Sequence, residues 1–309
     1  MDDFSCTINS LKEAIDVFLE NTKKIPEDKV KSSLMYRGHS SASDYLLQPS
    51  VFRNNMLKYE AQMIREIKRL SPSDFPSSNL DIENLIKMQH YGLPTRLLDF
   101  SLNPLIALYF ACSEEKYINK DGEIIVFFEN LELIDSTQVK RYARLSSYEG
   151  KTAKSFQDKM NIKKSFVIDS GNENENIIDY KLMKDYFPKS CFFIPAIHNN
   201  ERVSRQNGVF MLFGIDINTE NPFEKRPFVF DKNNNKSKKI GINTRIKVPA
   251  EAKKEILLDL DAIGINHAFL FPELEHQASY IKQKYLLVDN NKISLQNLMP
   301  YLVMTRNHS

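Results

Sequence analysis

The 309-residue chain is poor in the patterns that usually mark a chemistry. It has no GxxxxGK[ST] phosphate loop, no GxGxxG after a strand, no HExxH and no GxSxG, which removes the standard nucleotide folds, zinc proteases and elbow hydrolases. The six histidines, at 39, 90, 198, 267, 276 and 308, include none spaced from another His or Cys so as to close a zinc site, and no metal is expected. Cys6, Cys112 and Cys191 lie far apart with no CxxC, which fits reduced thiols in a cytoplasm better than a disulfide framework. No apolar run approaches ~18 residues. The acidic stretch from Met1 to Cys6 lacks the basic-then-apolar order of a leader, so neither secretion nor a membrane partner is expected. A net charge of +2 does not demand nucleic acid or an anionic membrane, although a local patch could hold either.

What is present is mixed secondary structure. Apolar and charged residues make up 42% and 27% of the chain, the proportions of a soluble globular protein able to build a sizeable core. Leu11, Ile15, Phe18 and Leu19 recur at helical spacing, which predicts an amphipathic helix over 8–23. Further helices are expected near 56–70, 82–91, 105–111, 250–263, 273–285 and 295–304; the one at 105–111 is almost wholly apolar and hence buried. β-branched and aromatic runs predict strands at 34–37, 95–100, 122–128, 191–196, 209–215, 227–230, 244–248 and 267–271, with a polar loop at 231–239. Lys140, Arg141, Arg144, Lys151, Lys154, Lys159, Lys163 and Lys164 crowd one stretch, with Tyr142, Tyr148 and Phe156 among them. Such a composition can hold a phosphate backbone and stack bases, or can simply be a solvated face. No fixed-period repeat or linker interrupts the chain. The reading is one α+β domain over 31–286 with a helical, basic insertion at about 131–190, a helical segment before it (1–30) and a C-terminal helix and tail after it (287–309).

Three segments gather polar groups. From Gln89 to Ser101 (QHYGLPTRLLDFS) a helix ends at Gly92, a Pro-fixed turn leads into a strand, and Ser101 with Asn103-Pro104 opens a new helix. A helix N-terminus offers free N–H groups and partial positive charge, so the polar residues gathered there are candidates to face an anionic ligand. Equally, Asp99 and Ser101 can be caps and His90 a hydrogen-bonded interior histidine. In Tyr36-Arg37-Gly38-His39-Ser40, an arginine ending an apolar strand can hold phosphate or carboxylate, and Gly38 lets a ligand or another backbone come close; alternatively Arg37 pairs with a core acid such as Asp99. From Arg202 to Phe210 (RVSRQNGVF), two arginines and Gln206 precede an apolar strand, and Gln206 can read a ligand hydroxyl or amide or be a strand-edge residue.

Together with LQPSVFR from Leu47 to Arg53 and LFPEL from Leu270 to Leu274, these segments resemble the FRG domain, a family named for a Phe-Arg-Gly motif and found in bacterial and phage proteins. The resemblance runs through most of residues 30–285. Tyr36 stands for the usual Phe, His39 where a polar amide is commoner, Phe100 for a frequent Trp and Ser101 for a frequent Thr.

The resemblance implies an ADP-ribosyltransferase-like core, in which a split mixed or antiparallel sheet flanked by helices holds NAD between a first-strand Arg or His, a second-strand hydroxyl and a later acid. On that pattern Arg37, with Gly38 and His39, grips the pyrophosphate or adenosine ribose. Thr95 or Ser101 sits beside the nicotinamide ribose, Arg96, Asp99 and Arg202 belong to the cofactor site, His90 shapes the pocket, and Gln206 takes the place of the catalytic glutamate. A carboxylate can stabilise an oxocarbenium-like charge, whereas an amide can only hydrogen-bond. Either Gln206 suffices with another acid nearby, Asp99, Glu201, Glu273 or Glu275, or the domain binds a nucleotide without transfer. The expected function is NAD-dependent ADP-ribosyl transfer to protein or nucleic acid by a toxin or phage-defence effector. Two other functions stay open: a non-catalytic sensor of a nucleotide or phage component, and a ribonuclease using His39 or His90 with RNA on the Lys140 to Lys164 patch.

Overall fold

A computed structural model describes residues 4–23, 25, 32–149, 191–196, 201–214 and 244–273, with positions 160, 168–169, 176–177, 187, 216, 227, 277 and 280–281. The strands are β1 (Cys6–Thr7), β2 (Ser32–His39), β3 (Leu97–Ser101), β4 (Gly122–Asn130), β5 (Ile168–Asp169), β6 (Asn176–Ile177), β7 (Cys191–Pro195), β8 (Gly208–Phe213) and β9 (Thr244–Val248). Seven of them form one mixed sheet in the order β1-β9-β4-β2-β3-β8-β7, while β5 and β6 pair separately. Among the described strand pairs of the large sheet only β1 with β9 is parallel. The helices are α1 (Leu11–Lys23), α2 (Glu60–Leu70), α3 (Asp81–His90), α4 (Pro104–Cys112), α5 (Thr137–Leu145), α6 (Glu201–Arg205), α7 (Lys253–Ala262) and α8 (His267–Leu270).

Strand alternation builds two cores, one on each face of the sheet. Leu34, Tyr36, Ile124 and Val126 pack with α1, α4 and α7; Met35, Ile125 and Phe127 pack with α2, α3 and α5. The N-terminal segment takes part in the sheet, since Cys6 and Thr7 pair with Ile246 and Lys247 and Leu11, Ala14 and Phe18 are buried.

Helix α4 has no polar face, and six of its nine residues are buried. The Asn103 side chain caps it by accepting from the Leu105 N–H at 3.0 Å, and Pro104 occupies the first turn, where a missing N–H costs nothing. The helix lies directly on β2 and β4. A Cβ on Gly38 would stand 1.9 Å from the Ala107 carbonyl oxygen, and one on Gly122 2.4 Å from that of Ala111. Gly38 therefore admits another backbone, one of its two anticipated uses.

The β2–β3 junction is the weak seam of the sheet. β2 matches β4 along eight positions and β3 matches β8 along five, but β2 and β3 share one pair, Tyr36 with Ser101. Beyond it the strands fork. The expected split is corrected in this sense: the strands form one continuous order, and the division is a fork within it.

Two further corrections concern single elements. Residues 267–271, expected as a strand, contain α8, which Asn266 opens by accepting from the Phe269 N–H at 2.9 Å; a short apolar run fits helix or strand equally, and the cap decides. The tyrosines of the basic stretch, Tyr142 and Tyr148, are 0% and 1% exposed, so they are core rings unavailable for stacking bases. Lys151, Lys154, Phe156, Lys159, Lys163 and Lys164 lie outside the described residues, as do the loop at 231–239, the helix at 295–304, and most of the elements expected at 227–230 and 273–285.

Gly38→Ala is expected to cost about 3 kcal/mol, the upper end of overpacking penalties, because the obstructing atoms are backbone and cannot swing aside. Urea denaturation measures it, and equal midpoints for the two proteins would refute the packing account.

Candidate functional site

A cavity of about 510 Å³ opens at the fork, within the usual range for small-ligand sites. Arg37 and His39 reach it from β2, Asp99 and Ser101 from β3, Gln89 and His90 from α3, and Arg202 and Gln206 from α6 and the turn after it. Tyr45, Tyr109, Phe110 and Phe271 supply aromatic wall.

Arg37 makes no bond to the Asp99 side chain. Its Nη1 donates to the Asp99 backbone carbonyl at 2.5 Å and its Nε to His39 Nε2 at 2.9 Å; both acceptors are uncharged in this arrangement. Burial lowers the guanidinium to about 10, with the Asp99 charge opposing and Arg53 adding to the shift, so Arg37 stays cationic at neutral pH. The His39 ring is buried and stacked on Tyr45 at 5.2 Å, and its Nδ1 lies 2.9 Å from Glu123 Oε1.

Asp99 is aimed by Gln89, whose Nε2 donates to Asp99 Oδ1 at 2.9 Å while its Oε1 accepts from the Thr95 hydroxyl. Thr95 itself is buried, lies outside the cavity lining, and also accepts from the Leu97 N–H at 3.2 Å. Gln89 is a site residue that motif reading passed over; its signal was a helix-end amide ahead of a turn that folds back on it. Ser101 Oγ donates to the Gln206 carbonyl at 2.7 Å and accepts from the Asn103 N–H at 3.0 Å, so it latches the Arg202 turn to β3, and the helix cap is Asn103. The Gln206 amide donates to the Leu270 carbonyl at 3.0 Å, which ties the same turn to α8.

Arg96 is placed elsewhere. It is 0% exposed and lies outside the cavity lining; Nε donates to Glu60 Oε1 at 2.7 Å, Nη2 to Glu60 Oε2, and Nη1 to the Phe213 carbonyl at 3.1 Å. This buried fork-to-fork pair pins the start of α2 to β3.

At the rim, Glu273 Oε1 lies 3.8 Å from His90 Nε2 and 4.0 Å from Arg202 Nη1, and Arg202 lies over the Phe271 ring at 4.6 Å. Burial lowers the His90 pKa, the Arg202 cation lowers it further, and Glu273 opposes both. Glu201 is paired with Arg205, and Glu275 lies outside the described residues.

Residues 32–120 match the family model of the FRG domain. The match contains β2, α3, β3 and α4, the elements that make the fork, and it ends before Arg202 and Gln206. No curated protein matches the chain, and no solved structure does. Among the described residues no cluster of three or more His, Cys, Asp or Glu could hold a metal ion, and no helix is long and apolar enough to cross a membrane.

Arg96→Met takes the guanidinium away from the buried Glu60 carboxylate and is expected to cost about 3–5 kcal/mol. Adding Glu60→Met should return most of it, as read by denaturant midpoints. His90 is expected to titrate below 6.5, with Arg202→Gln raising the midpoint and Glu273→Gln lowering it further, followed by its ring C–H resonances. Because folding depresses this pKa, the unfolded chain binds the proton more readily. The stability that His90 contributes is therefore intact above its unfolded value of 6.5 and is lost as pH falls below it.

Proposed function

We propose that the FRG-domain cleft binds NAD and transfers its ADP-ribose to a protein or nucleic-acid acceptor, releasing nicotinamide, as a toxin or phage-defence effector would. The observation that carries this reading is that two guanidinium groups, Arg37 and Arg202, reach one cavity walled by aromatic rings. Planar N–H forks suit the oxygens of a pyrophosphate, and ring faces suit its bases. In the reaction the bond between C1′ of the nicotinamide ribose and the pyridinium nitrogen breaks, and its electron pair leaves with nicotinamide. The acceptor's nucleophile bonds to C1′ and gives up its proton.

Positive charge develops on the ribose during that displacement, and a carboxylate stabilises it better than an amide. The Gln206 amide is already engaged with the Leu270 carbonyl. Among the anticipated acids Asp99 lines the cavity and is held in place by Gln89, whereas Glu273 stands outside the lining. Asp99 is therefore assigned the stabilising role in this reading. The ribonuclease alternative is weakened at His39, because both ring nitrogens of that histidine have partners and general acid–base work needs one within reach of a substrate proton.

Incubation with NAD labelled on its adenylate, with and without cell lysate or RNA, tests the proposal. Label is expected on a macromolecule together with released nicotinamide. Arg37→Ala should lose binding, and Asp99→Asn should lose turnover by about 10²–10³-fold while still binding NAD, each with a normal melting transition. Binding without nicotinamide release would replace the enzyme with a nucleotide sensor, and absence of binding would end the NAD reading.

A further inference from the structure

Behind Arg37 a polar relay crosses three strands. His39 is registered with Glu123, and both Arg37 and Arg245 are registered with Ile125, so Arg37, His39, Glu123 and Arg245 share one face of β2, β4 and β9. Arg37 Nε lies 2.9 Å from His39 Nε2, His39 Nδ1 lies 2.9 Å from Glu123 Oε1, and Arg245 reaches Glu123 Oε2 from Nε at 3.0 Å and Nη2 at 2.6 Å. His39, Glu123 and Arg245 are 2%, 0% and 4% exposed. The Phe4 ring lies 4.6 Å from the Arg245 guanidinium, and the Ser5 N–H donates to the Arg245 carbonyl at 2.8 Å, so the N-terminal segment holds the far end.

The donors and acceptors of this relay are fixed by chemistry. The Nε–H of an arginine only donates, so His39 Nε2 must be the bare nitrogen. The ring proton then sits on Nδ1 and is donated to Glu123, whose carboxylate accepts from His39 and Arg245 at once. We propose that Glu123 and Arg245, which do not line the cavity, are positioning residues that set the aim of Arg37 by fixing the tautomer of His39.

An amide in place of Glu123 makes the consequence concrete. Arg245 presents two donors, so the oxygen of Glu123→Gln turns toward Arg245 and its NH₂ faces His39. His39 Nδ1 must then accept, the ring proton moves to Nε2, and Nε2–H opposes the Nε–H of Arg37. The guanidinium loses its brace although no charge in the cleft has changed.

The mechanism stands on these contacts, while its effect on a ligand rests on the anion-binding reading of the cleft; two readouts keep the two apart. Nitrogen NMR of the His39 ring is expected to show the proton on Nδ1 in the native protein and on Nε2 in Glu123→Gln. Calorimetry with inorganic pyrophosphate is expected to show affinity lowered about tenfold or more in that variant, the worth of one hydrogen bond to a charged group. His39→Gln, whose amide can accept from Arg37 and donate to Glu123, should bind pyrophosphate more tightly than His39→Leu, which can do neither; this pair decides the matter if Glu123→Gln does not fold. An unchanged tautomer in Glu123→Gln, or equal affinities for the two His39 variants, overturns the proposal. A native protein that ignores pyrophosphate overturns the anion reading instead, and the tautomer alone then decides the relay.

Discussion

The cleft depends on helix α4 lying backbone against backbone on strands β2 and β4. That contact requires Gly38 and Gly122, since a Cβ at either would meet a helix carbonyl. In a strand, successive side chains face opposite sides, so a glycine turned toward α4 places Arg37 and His39, its immediate neighbours, on the opposite face. The Arg-Gly-His order is thus one device: the middle residue gives up its side chain to bring the helix in, and the flanking residues gain a fixed direction. α4 also follows β3 in sequence, so docking it on β2 sets where β3 can run, and the two strands meet only at Tyr36 and Ser101.

How much of this was legible in the sequence follows from the range of each interaction. Local signals read well. Gly92, with φ of +84°, ends α3 as its left-handed residue, Asn103-Pro104 opens α4, and the alternating strands of the two cores carry their pattern in adjacent residues. Partners far apart in sequence left no such trace. Arg96 stands among residues that turn to the cleft, yet its partner Glu60 is 36 positions earlier, and nothing within the motif separates it from Arg37. The Ser101 hydroxyl bonds a backbone carbonyl 105 positions away. Glu123 and Arg245 sit inside apolar strands, where a lone charge reads as ordinary polar punctuation until the register brings the two together.

Arg37, which is partly buried, differs in its bonding from two buried arginines. Arg96 and Arg245 each bond a carboxylate, Glu60 and Glu123, and each pair is closed electrically. Arg37 bonds a backbone carbonyl and an imidazole nitrogen, acceptors that hold the group in place without neutralising it. Glu123 is within one ring of Arg37, but His39 stands between them and passes on a neutral contact while Arg245 takes the carboxylate. The Asp99 side chain is likewise turned to Gln89. The anion nearest in effect is the Asp99 carboxylate, whose charge favours the Arg37 cation against the burial that disfavours it, without a direct bond between the two side chains.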